Sequence, residues 1–434
     1  MFFKSTSPRP PSSKTLKDSK HTFRRDVGAL FVGSGTSQLI YIIVLPLLAK
    51  LYAPEQYGTF ATFVSITILS GMISTGRYET AIILPESELD ALSLLILCFG
   101  LSFIASLFSY LAFSFYDNSL SIFLNNSDLK GWLPLLPLSI LLTGFYLSLD
   151  AWANRKGKYK RMSKARLLLA VTTVLMQLAL GVREIQGGLI IGTITGQLIT
   201  VGWFFVDTLK NDKCHLFIRE AKTGIIEMLA HYKSHPAYLI PSHGASTLFI
   251  QLPILFCAVI FGREVAGYYA MAMRLVTLPS QILANSIGTV YKQKASIAYR
   301  KTGQFLDLFL KTLLTAGILS VLPYAAIVVF ADDLLPMLLG ESWRKTGEMA
   351  QVLALSGWVG FFSTPVDKGA IIVGQMRYII LWQISRLLAL ATLFCCIYLY
   401  NIDYEYFIIN LCATGIIFYL IDLCYEYKFA KGMV

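Results

Sequence analysis

The sequence predicts an all-α polytopic membrane protein, with about twelve transmembrane helices in two six-helix bundles and both termini cytoplasmic. Three observations predict it. The 434 residues are 55% hydrophobic and only 15% charged, with a mean hydropathy of +0.61, a composition outside that of soluble globular chains. Apolar runs recur at or above the ~20 residues that cross a hydrocarbon core of ~30 Å. The lysines and arginines between those runs fall overwhelmingly on alternate loops.

Residues 1–26 carry Pro, Ser, Lys and Arg with little apolar content and read as a disordered basic cytoplasmic tail. The first apolar run begins at Val27 and is too long for a signal-peptide core, so an uncleaved first span is expected. Spans follow at 27–49, 58–84, 91–115, 132–153, 166–182, 187–208, 237–261, 266–290, 305–330, 348–373, 378–400 and 404–427. The expected division is a tail 1–26, an N-terminal bundle 27–208, a cytoplasmic linker 209–236 and a C-terminal bundle 237–434.

With the N-terminus inside, that side collects seven Lys and Arg from the tail, seven from 154–166, five from 209–236 and four from 291–304, joined by Arg377, Lys428 and Lys431. The opposite side receives Lys50, Lys130, Arg183, Arg263, Arg344 and Lys345. Twenty-six against six is a strong positive-inside bias. It explains the net charge of +11 without nucleic acid. In the linker, Phe217, Ala221, Ile225, Met228, Leu229 and Tyr232 recur at helical spacing. This fits an amphipathic helix lying on the leaflet or one packed under the bundle.

A shift of 209 residues, close to half the chain, places Gly35, Ser37, Leu39, Glu55, Gly58 and Ala61 on identical residues in the second half. That is the pattern of two parallel repeats. The first span holds Gly33, Gly35 and Pro46; the seventh holds Pro241, Gly244 and Pro253. Interrupted spans at matching places point to a transport pathway, with Pro46 and Pro253 as expected gating bends.

No nucleophile elbow, phosphate loop, paired-acid motif or metal-ligand spacing is present, and the seven cysteines read as small core hydrophobes. His231, His235 and His243 lie close together at a span boundary without carboxylate partners. The notable chemistry is basic charge inside spans: Arg77, Arg274, Lys311, Lys368 and Arg386. Lys311 is accounted for by snorkelling. The others, in excess over the acids, imply an anionic ligand in a wet cavity, because unpaired charge in lipid is costly. Arg77, Arg274, Lys368 and Arg386 are the expected substrate-binding residues, and Glu79, Asp150 and Asp367 the acids for ion coupling.

Several segments, in order, resemble the Wzx-type polysaccharide flippases of the multidrug/oligosaccharidyl-lipid/polysaccharide exporter superfamily. In the first half they are Pro54-Glu55-Gln56-Tyr57-Gly58, Arg77-Tyr78-Glu79 through Leu84-Pro85, Asn154-Arg155 with Tyr159, and Gly187-Gly188 through Gly192 and Gly196. In the second they are Tyr232 with Pro236, Pro241-Ser242, Gly267-Tyr268-Tyr269-Ala270 leading to Arg274 and Pro279, and Gly340-Glu341-Ser342-Trp343. The resemblance covers about residues 26–375; the last two spans carry none of it.

The resemblance implies alternating access in a bacterial inner membrane. The implied substrate is a polyprenyl-diphosphate-linked oligosaccharide, turned from the cytoplasmic to the periplasmic leaflet for lipopolysaccharide O-antigen or another surface polysaccharide. Implied partners are a glycan polymerase and a chain-length regulator; no cofactor is implied. The rival readings are a drug/cation antiporter, a peptidoglycan-precursor flippase, a membrane glycan polymerase or glycosyltransferase, and a nonenzymatic scaffold. An antiporter needs acids deep in its path, whereas the buried excess here is basic. An enzyme needs a large external loop, whereas the longest here, about 116–131 and 331–347, are short.

Overall fold

The computed structural model describes residues 33, 35–123, 127–212 and 218–433. The basic tail expected over 1–26 lies outside them. Among the described residues the chain is helical, with no strand. The first half contains α1 (Gly35–Leu51), α2 (Pro54–Ser74), α3 (Glu88–Phe123), α4 (Leu136–Arg155), α5 (Tyr159–Val182) and α6 (Gly188–Asp212). Short helices α7 (Ile218–Ala221) and α8 (Ile225–His231) lead to α9 (Ser234–Phe256), α10 (Arg263–Pro279), α11 (Asn285–Thr302) and α12 (Leu306–Leu339). The chain closes with α13 (Arg344–Ser363), α14 (Gly369–Val373), α15 (Met376–Leu399) and α16 (Tyr404–Ala430).

Nine helical segments among the described residues are long and apolar enough to cross a membrane. The three other expected spans fall on α1, on α10 with α11, and on α13, which are shorter, interrupted or more polar. The expected second span, 58–84, is corrected: α2 begins at Pro54 and stops at Ser74, where Gly76 and Arg77 both take left-handed backbone (φ 58° and 62°). The expected eighth span, 266–290, is interrupted by a π-turn at Ser280–Ala284 directly after Pro279. A second π-turn, Cys257–Phe261, follows Pro253 at the end of α9. Proline removes a ladder hydrogen bond and the π-turn absorbs the mismatch, so these two places interrupt the regular helix. The expected tenth span, 348–373, ends at Ser363 and resumes as the short α14.

The linker is broken into short pieces tucked against α3. Ser93 Oγ donates to the Ala221 carbonyl (2.7 Å), and Ala221 and Met228 are buried with Leu92, Leu95 and Trp152. One side of the linker thus packs on α3, while Ile226 and Leu229 stay exposed.

The halves meet where α2 crosses α10. A Cβ on Gly58 would lie 1.7 Å from the Arg263 carbonyl oxygen, and one on Gly267 would lie 2.0 Å from the Pro54 carbonyl oxygen. The contact is reciprocal, and Arg263 and Gly267 are Pro54 and Gly58 shifted by 209. The sequence repeat is therefore a local two-fold in space, with two backbones touching because neither carries a side chain there. Around it the largest buried apolar cluster draws Leu45, Leu48, Tyr52 and Tyr57 from the first half, and Tyr268, Tyr269, Met271 and Trp343 from the second.

Inside the first half, Gly188, Gly192 and Gly196 form one face of α6 against α5. A Cβ at Gly196 would stand 2.1 Å from Thr173 Oγ1 and 2.9 Å from the Thr173 nitrogen, whereas Gly202, on the same helix, faces open space. Overpacking such a seam costs about 1–3 kcal/mol or more. Gly196→Leu is expected to lower the thermal unfolding midpoint of the detergent-purified protein, and Gly202→Leu to leave it in place. Equal midpoints for the two variants would refute this account of the α5–α6 seam.

Candidate functional site

The expected functional residues divide into three groups. The first is the reversal after α2. There Arg77 Nη1 pairs with Glu79 Oε1 at 3.2 Å, and the carboxylate's other oxygen accepts from Thr75 Oγ1 at 2.6 Å. Glu79 is buried, and among the described residues the Arg77 Nε is buried without a partner. The turn is fastened to the linker and the start of α9: Thr80 Oγ1 lies 3.0 Å from His235 Nδ1, and Tyr78 OH donates to the Leu229 carbonyl (3.1 Å). His243, on α9, lies within electrostatic range of both Arg77 and Glu79.

The loop beyond this turn is organised by Arg155, at the end of α4. Its Nη1 donates to the carbonyls of Ile82 (3.2 Å), Ile83 (3.3 Å) and Pro85 (2.6 Å), and its Nη2 to those of Glu86 (3.5 Å) and Ser87 (3.2 Å). Two motif segments far apart in sequence are thus one structural unit. A guanidinium suits this place because its planar fork offers five fixed donors.

The second group lies between the halves. Arg274 projects from α10 toward α1 and α2, 5.5 Å from the ring centre of Tyr41 and beside the Tyr57 hydroxyl. Among the described residues it forms no ion pair. Tyr146, within electrostatic range of Tyr41, leads on to Asp150 and Arg166, whose carboxylate and guanidinium are 3.7 Å apart. Asp150 Oδ1 is buried and unpartnered among the described residues. Arg274, Tyr41 and Tyr57 thus stand at the junction, and Tyr146, Asp150 and Arg166 continue the polar groups into α4 and α5.

The third group sits in the second half. Arg386 on α15 lies over the Phe249 ring of α9 at 3.8 Å and 5.8 Å from Trp382. Asp367 pairs with its neighbour Lys368. Two further acids, Asp422 and Glu426, join this group from α16. Tyr378 OH donates to Asp422 Oδ1 (2.6 Å), and the Glu426 carboxylate accepts the Gly369 and Ala370 backbone N–H groups (2.7 and 3.2 Å) at the start of α14. Tyr291, with its hydroxyl unpartnered among the described residues, is within electrostatic range of Glu426 and Asp367.

Arg386, Lys368 and Asp367 are therefore brought together, whereas Arg274 belongs to a separate face and Arg77 to the turn after α2. Sequence reasoning missed Asp422 and Glu426. The available signal was two acids four residues apart, one helical turn, inside an apolar span. Pro253 is buried at the end of α9, and Pro46 lies within α1 without interrupting it. Among the described residues no group of three or more His, Cys, Asp or Glu could hold a metal ion.

The remaining motif residues form a clasp at the other end of the bundle. Trp343 is fully buried, its Nε1 donates to the Ala49 carbonyl (2.9 Å), and it packs edge-on to Tyr57 at 5.4 Å. Arg263 pairs across the halves with Asp128. Motif residues from both repeats thus converge on the α2–α10 crossing. The polysaccharide biosynthesis protein family matches residues 47–348 of the chain. The chain belongs to this family.

It is similar to the succinoglycan biosynthesis transport protein ExoT of Rhizobium meliloti (strain 1021), with 21% identity over 383 residues, covering 85% of this chain and 73% of that protein. Its fold is that of a multidrug resistance MATE family transporter of the MOP superfamily in an inward-facing conformation (TM-score 0.68, 12% identity, 91% of this chain and 95% of that one). It is equally that of the lipid II flippase MurJ in an inward closed conformation (TM-score 0.69, 13% identity, 93% and 90%).

Replacing Arg155 by Lys keeps the charge but loses the fork. Loss of one or two of these charge-assisted hydrogen bonds is worth about 1–3 kcal/mol. The variant is expected to unfold at lower temperature and to expose residues 82–87 to limited proteolysis, while Lys160→Arg does neither. An Arg155→Lys protein indistinguishable from wild type would show that the clamp does not hold the loop.

Proposed function

We propose that the chain is a flippase that carries a polyprenyl-diphosphate-linked oligosaccharide repeat unit from the cytoplasmic to the periplasmic leaflet by alternating access, for surface polysaccharide synthesis. The observation that carries this reading is Arg274: a cation at the seam of the halves, faced by tyrosines and by no paired carboxylate among the described residues. A guanidinium in that place calls for an anion, and a diphosphate accepts its donors in pairs. Arg77, Lys368 and Arg386 extend the cationic surface from the turn after α2 to the far side of α9. The polyprenyl tail stays in lipid while the sugar-diphosphate head crosses.

The positive-inside count assigns the clasped end to the periplasm and the Arg77 turn to the cytoplasm. In that orientation the structure is closed outward, and transport requires the α2–α10 crossing to part. Asp150, with an unpaired buried oxygen, is the best placed of Glu79, Asp150 and Asp367 to take up a coupling ion. Pro46 in α1 and Pro253 beside its π-turn supply bending points. The flipped unit then passes to a polymerase and a chain-length regulator at the inner membrane.

Two experiments test this reading. Deleting the gene in its host is expected to accumulate lipid-linked repeat units and remove surface glycan, with rescue by wild type. Arg77→Ala and Arg274→Ala, inserted at normal levels, are expected to rescue about tenfold less well or worse, the loss matching a charge-assisted contact of ~1.5–3 kcal/mol. Full rescue by both variants would remove the anionic-site reading. In the second, Asp128→Cys with Arg263→Cys, oxidised to a disulfide, is expected to stop flipping until a reductant is added. Undiminished flipping in the cross-linked protein would rule out opening at this end.

A further inference from the structure

A cavity of about 490 Å³ opens beside the clasp, between the α1–α2 turn, the 127–135 segment, the α5–α6 turn and Arg263. Its size is that of a small-molecule site, and none of Arg77, Arg274, Lys368 or Arg386 lines it. We propose that it is a binding site for a sugar ring: a periplasmic subsite that receives a residue of the translocated glycan once the head group has crossed. The inference rests on the flippase reading and on the orientation given with it.

The lining carries the argument. Trp132 supplies an aromatic wall, and its ring can sit where it does only because Gly187 has no side chain: a Cβ there would lie 1.9 Å from the indole, and the backbone is left-handed at φ 71°. Planar hydrogen-bonding groups surround that wall, namely Glu55, Gln56 and Gln186. Gln56 Oε1 accepts the Ala53 N–H (3.0 Å), which leaves its amide N–H groups for a ligand. A pyranose has complementary surfaces, an apolar C–H face for an aromatic wall and a rim of hydroxyls that both donate and accept.

Charge selects among ligands. The single cation of the lining, Arg263, is paired with Asp128, so the cavity offers no free positive charge to a diphosphate. What remains is the neutral amides of Gln56 and Gln186 and the Glu55 carboxylate, suited to a neutral polyol. Both partners of the cross-half ion pair line the cavity, so a ring seated there lies against the seam that opens.

The test uses the full chain in lipid nanodiscs. The probe is the water-soluble oligosaccharide released by mild acid from the host's own lipid-linked repeat unit, observed by saturation-transfer NMR. Saturable transfer to ring protons is expected for wild type, lost in Trp132→Ala and about tenfold weaker in Gln186→Ala, as for removal of one or two neutral hydrogen bonds. Tetraphenylphosphonium, a cation that would also find an aromatic wall and a carboxylate, is expected not to displace it. Gln186 is exposed, so its variant reports on binding even where Trp132→Ala disturbs folding.

No saturable binding to wild type, unchanged binding in the variants, or displacement by tetraphenylphosphonium would overturn the proposal. Those results are separable from failure of the flippase reading. Loss of the subsite leaves the accumulation of lipid-linked units in the deletion strain intact, whereas a deletion strain with normal surface glycan removes the flippase itself.

Discussion

Everything in this molecule depends on two glycines that let two backbones touch. At the crossing of α2 and α10 there is no room for a methyl group on Gly58 or on Gly267, since each would enter the carbonyl of the opposite repeat. In lipid, helices gain little from burying apolar surface against one another, because lipid tails are equally apolar. Close approach and satisfied polar groups must hold the halves together instead. The clasp supplies both: the glycine crossing, the Trp343 indole on the Ala49 carbonyl, and the Arg263–Asp128 pair at its rim. Parting the halves means separating this backbone contact together with the buried cluster around it, where Trp343 packs on Tyr57.

The distribution of cations follows from the same constraint. Arg155 and the Arg77–Glu79 pair shape a loop at one end, with the Arg77 Nε left over among the described residues, whereas Arg274 stands among aromatic rings at the seam. Arg386 and Lys368 occupy a mixed environment with three acids in the second half. Basic residues inside a membrane protein thus complete a backbone turn, are left facing a path or, as proposed for Arg77, do both. Only the surroundings tell them apart.

Much of the fold was legible because it rests on one-dimensional signals. Hydropathy located the spans, and the 209-residue offset anticipated the reciprocal contact of Gly58 and Gly267. The end of α2 at Ser74 was not legible, since residues 81–85 continue the apolar run and only the left-handed Gly76-Arg77 pair turns the chain. Nor was the interruption after Pro279, because a π-turn has no compositional mark. The site residues were identified by charge and depth, which found Arg274 and Arg386. Charge and depth could not say that these two occupy different faces, or that α16, where no family motif was recognised, carries Asp422 and Glu426 into the same cluster as Asp367. That grouping is a property of helix packing between distant spans.

The five carbonyls gathered by Arg155 have a consequence for biogenesis. Residues 82–87 find their hydrogen-bond partner in a side chain some seventy positions downstream, so the connection between α2 and α3 cannot set when those helices first enter the bilayer. It stays a wet, unformed strap until α4 has been threaded and its final residue reaches the membrane surface. The second connection of the first bundle is therefore closed from the fourth. A nascent chain that stalls before residue 155 presents an open loop to quality-control proteases, and one that passes it does not.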